Sequence, residues 1–145
     1  MKSLLVYGVS LIAFILIDLV WINLVVLDAY EQDVGHLIID QPRIGAAVGF
    51  YLLYVGGLFL LAMRPALGAG KASLAWVNGA ILGAFAYGTY ALTNYAMFGP
   101  WTWHLVWTDM LWGIALSSIV SFIGYRVGRM TGQTVTVPPV SYTHL

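Results

Sequence analysis

Residues 4–27 read LLVYGVSLIAFILIDLVWINLVVL, and this apolar run decides the fold because it is long enough to cross a bilayer as one helix. Its one carboxylate, Asp18, lies near the middle, where an ionisable group costs about 3 kcal/mol. The leucine, isoleucine, valine and phenylalanine side chains contribute roughly −5 to −10 kcal/mol, so the helix still inserts. The run exceeds the apolar core of about 7–15 residues that is typical of cleaved signal peptides, and we expect it to be the first membrane span.

The composition is that of a membrane protein. Of the 145 residues, 61% are hydrophobic and 8% are charged, whereas soluble domains carry about 25% charged residues. The formal net charge of zero gives no electrostatic basis for binding nucleic acid. Because the chain has no cysteine, disulfides, thiolate metal sites and cysteine nucleophiles are excluded.

Four apolar segments predict an all-α membrane protein with four transmembrane helices. They cover about residues 4–27, 44–63, 74–98 and 104–125, each close to the ~20 residues that a spanning helix needs. The connections are short, so consecutive helices are expected to be antiparallel neighbours in an up-down bundle that forms a single domain, residues 1–130. Residues 131–145 are polar and aperiodic and are expected to be disordered. The final VSYTHL resembles a read-through end, which would make this tail non-native.

The lysine and arginine residues predict the orientation of the bundle. One side of it collects Lys2, Arg64, Lys71, Arg126 and Arg129. Arg43 falls on the other side, within an acidic first connection at residues 28–43. The positive-inside rule then places both termini in the cytoplasm of a multi-pass protein of the bacterial inner membrane.

Small residues recur at four-residue spacing on three of the predicted helices. The sets are Gly45/Gly49, Gly79/Gly83, Ala80/Ala84/Gly88 and Gly113/Ser117/Ser121. Such ridges let helix backbones approach closely. We expect them to pack the four helices against each other; the alternative is that they join two protomers in a homodimer.

Polar and aromatic side chains share one depth on all four predicted spans. They are Asp18 and Trp21 on the first, Tyr51 and Tyr54 on the second, Tyr87, Tyr90 and Asn94 on the third, and Asp109 and Trp112 on the fourth. At 1.5 Å per residue they lie about 6–16 Å below the outer border of the membrane. Within each span the spacing places them on one helix face. This pattern predicts a polar, aromatic-lined pocket that opens toward the outside.

A purely structural role remains the alternative for most of these residues. The tyrosines and Asn94 can hydrogen-bond helices to each other, and Trp21 and Trp112 can pack in the core. A site role is favoured for the two aspartates because their burial is the more costly. No lysine or arginine lies inside a predicted span. The aspartates therefore need protonation, hydrogen bonds from tyrosine or tryptophan, or a bound cation.

No metal or cofactor site is expected. His36 and Asp40 are four residues apart near Asp33, but a solvated acidic connection explains them better than a zinc site does. His104 lies among Trp101, Trp103 and Trp107, a pattern typical of an aromatic belt at the membrane surface. We find no nucleophile–base pair, phosphate-binding loop or two-metal arrangement.

Several short motifs, in this order and spacing, resemble a known family. They are Asp18-Leu-Val-Trp21, Tyr30, Gly35-His-Leu37, Tyr51-Leu-Leu-Tyr54, Arg64-Pro-Ala-Leu67, Tyr87-Gly-Thr-Tyr-Ala-Leu-Thr-Asn94 and Asp109-Met-Leu-Trp-Gly113. From about Lys2 to Arg126 the chain is similar to domain-of-unknown-function family 2177, which comprises small bacterial membrane proteins. The resemblance implies the same four-helix fold and no particular activity. Ala91 stands where family members usually carry an aspartate, so an activity that needs this carboxylate would be lost or altered here.

Three functions are compatible with these residues. The leading hypothesis is binding or transport of a small molecule, lipid or cation by the nine pocket residues, with Asp18 as the deeper carboxylate and Asp109 as the one nearer the outside. The first alternative is an accessory or scaffold protein for a lipid-modifying system. The second is a lipid-modifying enzyme that uses an aspartate as acid or base, which is less favoured because no other catalytic group is evident.

Overall fold

The computed structural model describes residues 2–39 and 41–132, and every regular element within them is helical. The helices are α1 (Lys2–Trp21), α2 (Leu27–Val34), α3 (Ile44–Leu58), α4 (Arg64–Ala69), α5 (Ala72–Met97) and α6 (Trp103–Met130). Two π-helical turns, Ile22–Val26 and Phe59–Met63, join α1 to α2 and α3 to α4, and a 3-10 turn, Gly35–Leu37, follows α2. The predicted all-α class is confirmed. The predicted disordered tail lies outside the described residues from residue 133 onward.

Three helical stretches are long and apolar enough to cross a membrane. They are Lys2–Val26, Ile44–Ala69 and Trp103–Met130, which correspond to three of the four spans expected from the sequence. The fourth expected segment corresponds to α5, which has 26 residues and is therefore about 39 Å long. Its glycines, tyrosines and asparagines lower its hydropathy, so α5 is not among the apolar stretches. Three apolar stretches in one chain indicate a multi-pass membrane protein.

The acidic connection after the first span contains a helix that the sequence interpretation missed. Residues 28–34 were expected in a loop but belong to α2. Val34, one turn after Tyr30, is buried in an apolar cluster with Ala91, Trp101 and Leu105, and Tyr30 packs against this cluster. Asp28 and Glu31 are exposed, whereas Asp33 is half-buried and accepts from Thr102. Packing of one apolar face therefore holds a short helix whose composition is polar.

The connection between α4 and α5 is shorter than the sequence interpretation expected. Pro65 lies at the start of α4, directly after the π-helical turn, where its missing N–H costs little. The helix ends only at Gly70, whose φ of 65° is in the left-handed region that favours glycine. The N–H of Lys71 donates to the carbonyl of Ala66 at 3.1 Å and closes the turn.

Close packing of α5 on α6 forms the most extensive helix contact in the described residues. Gly79 and Gly83 face α6, where an added Cβ on Gly79 would lie 2.6 Å from the carbonyl oxygen of Ser117. A Cβ on Gly83 would overlap the carbonyl group of Gly113. By contrast, Gly45 and Gly49 have open space around their Cα atoms. The small-residue ridges on α5 and α6 therefore pack these two helices against each other. Gly45 and Gly49 on α3 make no such contact.

A continuous apolar core joins α1, α3 and α6. It is built by Val6, Phe14, Val55, Leu58, Met63, Leu116 and Val120, all of which are fully buried. Near the start of α1, Lys2 Nζ donates to the carbonyl oxygen of Gly132 at 3.2 Å. Near the start of α6, Thr102 Oγ1 donates to Asp33 Oδ2 at 2.7 Å and caps the helix by accepting from the N–H of Leu105. These contacts fix the residues that surround the cavity described next.

Candidate functional site

A cavity of about 520 Å³ lies between the helices and is lined by most of the polar and aromatic side chains predicted for the pocket. Its walls come from α1, the π-helical turn after it, α2, α3, α5 and α6. The lining residues are Asp18, Trp21, Ile22, Val26, Tyr30, Phe50, Tyr51, Ala86, Tyr87, Tyr90, Asp109 and Trp112. The surface is thus mostly aromatic and aliphatic, with two carboxyl groups.

Asp18 is held by donors from two other helices. It is only 7% exposed. Tyr51 Oη on α3 donates to Asp18 Oδ2 at 2.9 Å, and Trp112 Nε1 on α6 donates to Asp18 Oδ1 at 3.0 Å. Each carboxyl oxygen therefore accepts one hydrogen bond from a neutral group, and Asp18 lines the cavity. Asp18 therefore points toward α3 and α6.

Two tryptophans form one wall of the cavity. The rings of Trp21 and Trp112 stack with centroids 4.3 Å apart and planes inclined by 6°. Trp112 is fixed in this position by its hydrogen bond to Asp18, while the indole Nε1 of Trp21 is buried without a partner. The two tryptophans therefore pack against each other, as in the structural alternative considered for them, and they also line the cavity.

The π-helical turn widens the backbone beside this tryptophan wall. A π turn shifts hydrogen bonds from i+4 to i+5 and leaves a carbonyl without its usual partner. Asn23 Nδ2 supplies a donor to the carbonyl oxygen of Leu19 at 2.7 Å. Ile22 and Val26, which bracket the turn, face the cavity. The polar Asn23 in the first span therefore stabilises a local bulge and does not line the cavity.

Asp109 is the second buried carboxyl group, also 7% exposed. Tyr30 Oη on α2 donates to Asp109 Oδ2 at 2.5 Å, so α2 closes one end of the cavity. The Tyr30 ring meets Trp101 edge-on, with centroids 5.4 Å apart. Burial raises the pKa of the Tyr30 hydroxyl well above its usual value of 10, and the neighbouring Asp109 raises it further. Tyr30 therefore stays neutral and remains a donor.

The structure brings together seven of the nine residues predicted for the pocket. Asp18, Trp21, Tyr51, Tyr87, Tyr90, Asp109 and Trp112 line the cavity. The other two lie beside it. Tyr54 is one turn further along α3 and is hydrogen-bonded to Ser117 Oγ at 2.8 Å, and Asn94 is one turn beyond Tyr90. That these residues form a binding site stays a prediction.

Sequence reasoning missed five lining residues. Tyr30 had been assigned to a loop, although its spacing from the buried Val34 is that of one helix face. Phe50, Ile22, Val26 and Ala86 are apolar, and no sequence signal separates such residues from the lipid-facing ones on the same helices. Of these five residues, only Tyr30 could have been predicted from the sequence.

No basic side chain balances the two aspartates in the cavity. None of the lining residues is lysine or arginine. The basic residues of the described chain, Lys2, Arg43, Arg64, Lys71, Arg126 and Arg129, are all exposed. The hydrogen bonds that the aspartates accept come from neutral tyrosine and tryptophan side chains. The cavity therefore has a negative potential whenever either aspartate is ionised.

Replacing Tyr30 with phenylalanine should destabilise the protein by about 1–3 kcal/mol, because it leaves the buried Asp109 without its donor. The measurement is the free energy of unfolding in detergent micelles. Tyr95→Phe is the matched control, since Tyr95 is 38% exposed and phenylalanine can keep its ring contact with Trp103. Equal stabilities of the two variants would show that the Tyr30–Asp109 hydrogen bond contributes nothing.

The raised pKa of Tyr30 predicts a loss of stability at alkaline pH. Below pH 10 the hydroxyl is neutral in both the folded and the unfolded protein. Above pH 10 only the unfolded chain releases this proton, so the free energy of unfolding should fall by about 1.4 kcal/mol per pH unit from this group. The advantage of the wild type over Tyr30→Phe should therefore shrink between pH 10 and 11. Parallel pH profiles would contradict the assignment.

Comparisons with known proteins give one match. A family model described as "Predicted membrane protein (DUF2177)" matches residues 3–126. No curated protein and no solved structure shows significant similarity to the chain. The match covers the six helices except Lys2 at the start of α1 and the last residues of α6, and it includes every residue that lines the cavity.

Proposed function

Because the chain belongs to the DUF2177 family of predicted membrane proteins, we propose that it is an integral membrane protein whose cavity binds a small organic cation. The proposal narrows the choice among a small molecule, a lipid and a cation that the sequence left open. It rests on the chemistry of the cavity wall, since the family description names no ligand.

The observation that carries the proposal is the pair of buried aspartates in an aromatic cavity without a basic partner. An ionised carboxylate in an apolar environment is costly unless it is paired. The neutral donors Tyr51, Trp112 and Tyr30 offset part of that cost and leave the negative charge in place. A bound cation would supply the missing positive charge.

The remaining wall of the cavity suits an organic cation better than a hydrated metal ion. Faces of tryptophan and tyrosine attract ammonium groups through the ring quadrupole and desolvate them at little cost. The lining offers four tyrosines, two tryptophans and one phenylalanine. A volume of about 520 Å³ lies within the range of small-molecule sites, which are about 300–1,000 Å³. An amine with an apolar body matches both the charge and the surface.

We further propose that α5 is a fourth span, giving an antiparallel up-down bundle with both termini in the cytoplasm. In its support, α5 contains no charged residue and is as long as the apolar stretches. The contacts of Lys2 with Gly132 and of Asp33 with Thr102 join α1–α2 to opposite ends of α6. The positive-inside rule supports a cytoplasmic position for the basic ends. The cavity would then open toward the outside.

Single cysteines test this topology directly, because the natural chain has none. Gly99 is exposed in the turn after α5 and has room for a side chain, and Lys71 is exposed in the turn before it. In intact cells a membrane-impermeant maleimide should label Gly99→Cys. It should label Lys71→Cys only after permeabilisation. Labelling of both positions from the same side would show that α5 does not cross the membrane.

The binding proposal is tested by equilibrium dialysis of the purified protein in a non-ionic detergent against radiolabelled benzyltrimethylammonium. This probe combines a quaternary ammonium with an aromatic body. We expect saturable binding of one equivalent per cavity. Non-saturable uptake equal to that of detergent micelles alone would overturn the proposal.

A further inference from the structure

A second, purely apolar cavity lies on the other side of the tryptophan wall. This groove, of about 530 Å³, is lined by Leu16, Ile17, Val20, Trp21, Leu24, Val25 and Trp112. Apart from the indole groups of the two tryptophans, its lining is aliphatic. Val20 and Leu24 are more than half exposed, so the groove is open along the outer face of α1.

Trp21 and Trp112 line both the groove and the cavity. Their stacked rings are therefore the partition between a chamber with two carboxyl groups and a chamber with none. The π-helical turn begins directly after Trp21, and its residues divide between the two chambers: Ile22 and Val26 face the cavity, and Leu24 and Val25 face the groove. The polar and apolar chambers are thus adjacent across one side-chain layer.

We propose that the groove binds the alkyl chain of a single-chain cationic amphiphile whose ammonium head occupies the cavity. This inference rests on the function proposed above and specifies its ligand class as a long-chain amine or quaternary ammonium. The charge of the head matches Asp18 and Asp109, and the chain matches the aliphatic lining. The two stacked indoles lie where the molecule changes from polar to apolar.

The adjacency of the two chambers, which share Trp21 and Trp112, distinguishes this site from ordinary lipid contact. Any apolar groove in a membrane protein can be covered by bulk lipid, which gains little by exchanging one apolar surface for another. A chain whose head is held in the cavity is tethered beside the groove, so its effective local concentration is high. Occupation of the groove should therefore depend on occupation of the cavity.

The experiment uses the wild-type protein in phosphatidylglycerol nanodiscs and two photoreactive dodecyltrimethylammonium probes. One probe carries a diazirine beside the head and the other carries it near the chain end. The head probe should label cavity residues, and the chain probe should label the groove side of α1. Excess benzyltrimethylammonium should suppress both, and the same chain probe built on dodecanol should label no site preferentially.

Two variants distinguish an effect of filling the groove from a general effect of adding a tryptophan to α1. Val20→Trp fills the groove, and Ile12→Trp places the same side chain on α1 outside it, where Ile12 is 61% exposed. Val20→Trp should bind the long-chain cation at least about tenfold more weakly. This factor corresponds to the free energy lost when two or three methylene groups of the chain are no longer buried. The variant's affinity for benzyltrimethylammonium should stay unchanged. Ile12→Trp should bind both ligands as the wild type does.

The outcomes distinguish failure of this inference from failure of the proposed function. If benzyltrimethylammonium binds but the chain probe labels the lipid-facing surfaces evenly, the groove proposal is wrong and the cavity proposal stands. If dodecanol labels the groove as well as the cation does, bulk lipid occupies it and the proposal is likewise wrong. If neither cation binds saturably, both proposals fail.

Discussion

Replacing Asp18 with asparagine should weaken binding of an organic cation by about 30-fold or more, as expected when one member of a buried charge pair is removed. The amide has nearly the same shape as the carboxyl group but no charge. Its carbonyl oxygen can still accept from Trp112 Nε1, and its NH2 group can donate to Tyr51 Oη, so both contacts can be kept with the second one reversed. The loss of the charge is therefore the change that weakens binding of the cation.

The matched control is Glu31→Gln, which removes a negative charge from the same chain at an exposed position on α2 outside the cavity. Both variants are measured by equilibrium dialysis with benzyltrimethylammonium. Glu31→Gln should bind within about twofold of the wild type, because exposed charges are screened by solvent and salt. If both variants lose affinity equally, the effect is a general surface potential and Asp18 has no special role.

Replacing Gly83 with alanine should destabilise the bundle by about 1–3 kcal/mol, the usual cost of overpacking a tight core. The added Cβ would overlap the carbonyl group of Gly113 and lie 2.9 Å from Ser117 Oγ. Because the obstacle includes backbone of the facing helix, α5 and α6 must move apart to accommodate it. The free energy of unfolding in detergent micelles gives the size of the effect.

Gly49→Ala is the control for this substitution. Gly49 belongs to a ridge of the same spacing on α3, but a Cβ there would meet nothing within 4 Å. Alanine is the better helix former by about 1 kcal/mol, so this variant should be as stable as the wild type or slightly more so. A loss of stability in Gly49→Ala would place this ridge in a protein contact, and the homodimer considered from the sequence would be its natural explanation.

Much of the fold follows from apolar run length alone. The run at residues 4–27 contains nearly the whole of the apolar stretch Lys2–Val26, and Ile44 begins the second stretch as expected. The structure places the end of that stretch at Ala69 and not at residue 63, because Pro65 is tolerated at a helix start and the first residue that requires a left-handed backbone is Gly70. A helix-breaking proline or glycine in the sequence, such as Pro65, does not by itself show at which residue the helix ends.

The helix α2 shows where reasoning from composition failed. Asp28, Glu31 and Asp33 make the segment polar, and a polar segment between apolar runs is typically a loop. The spacing of Tyr30 and Val34 was the available signal, but two residues do not establish a period. Only the tertiary contact with Trp101 and Leu105 makes this face of α2 favourable.

The cavity residues that the sequence predicted best are those whose side chains cost the most free energy to bury. Asp18 and Asp109 were identified because a carboxyl group inside an apolar helix requires a partner, and both line the cavity. The facing of the tyrosines was predicted less well, since Tyr51 reaches Asp18 whereas Tyr54, one turn away, reaches Ser117. The stacking of Trp21 on Trp112 could not be predicted, because it depends on the rotation of α1 relative to α6.

The most direct test of a negatively charged aromatic cavity compares two ligands of the same shape that differ only in charge. Benzyltrimethylammonium and its neutral carbon isostere, neopentylbenzene, are titrated into the wild-type protein in nanodiscs, and tryptophan fluorescence reports occupancy beside the Trp21–Trp112 pair. The account predicts saturable quenching by the cation and none by the isostere once partition into empty nanodiscs is subtracted. Equal responses to the two ligands would show that the aspartates do not select for positive charge.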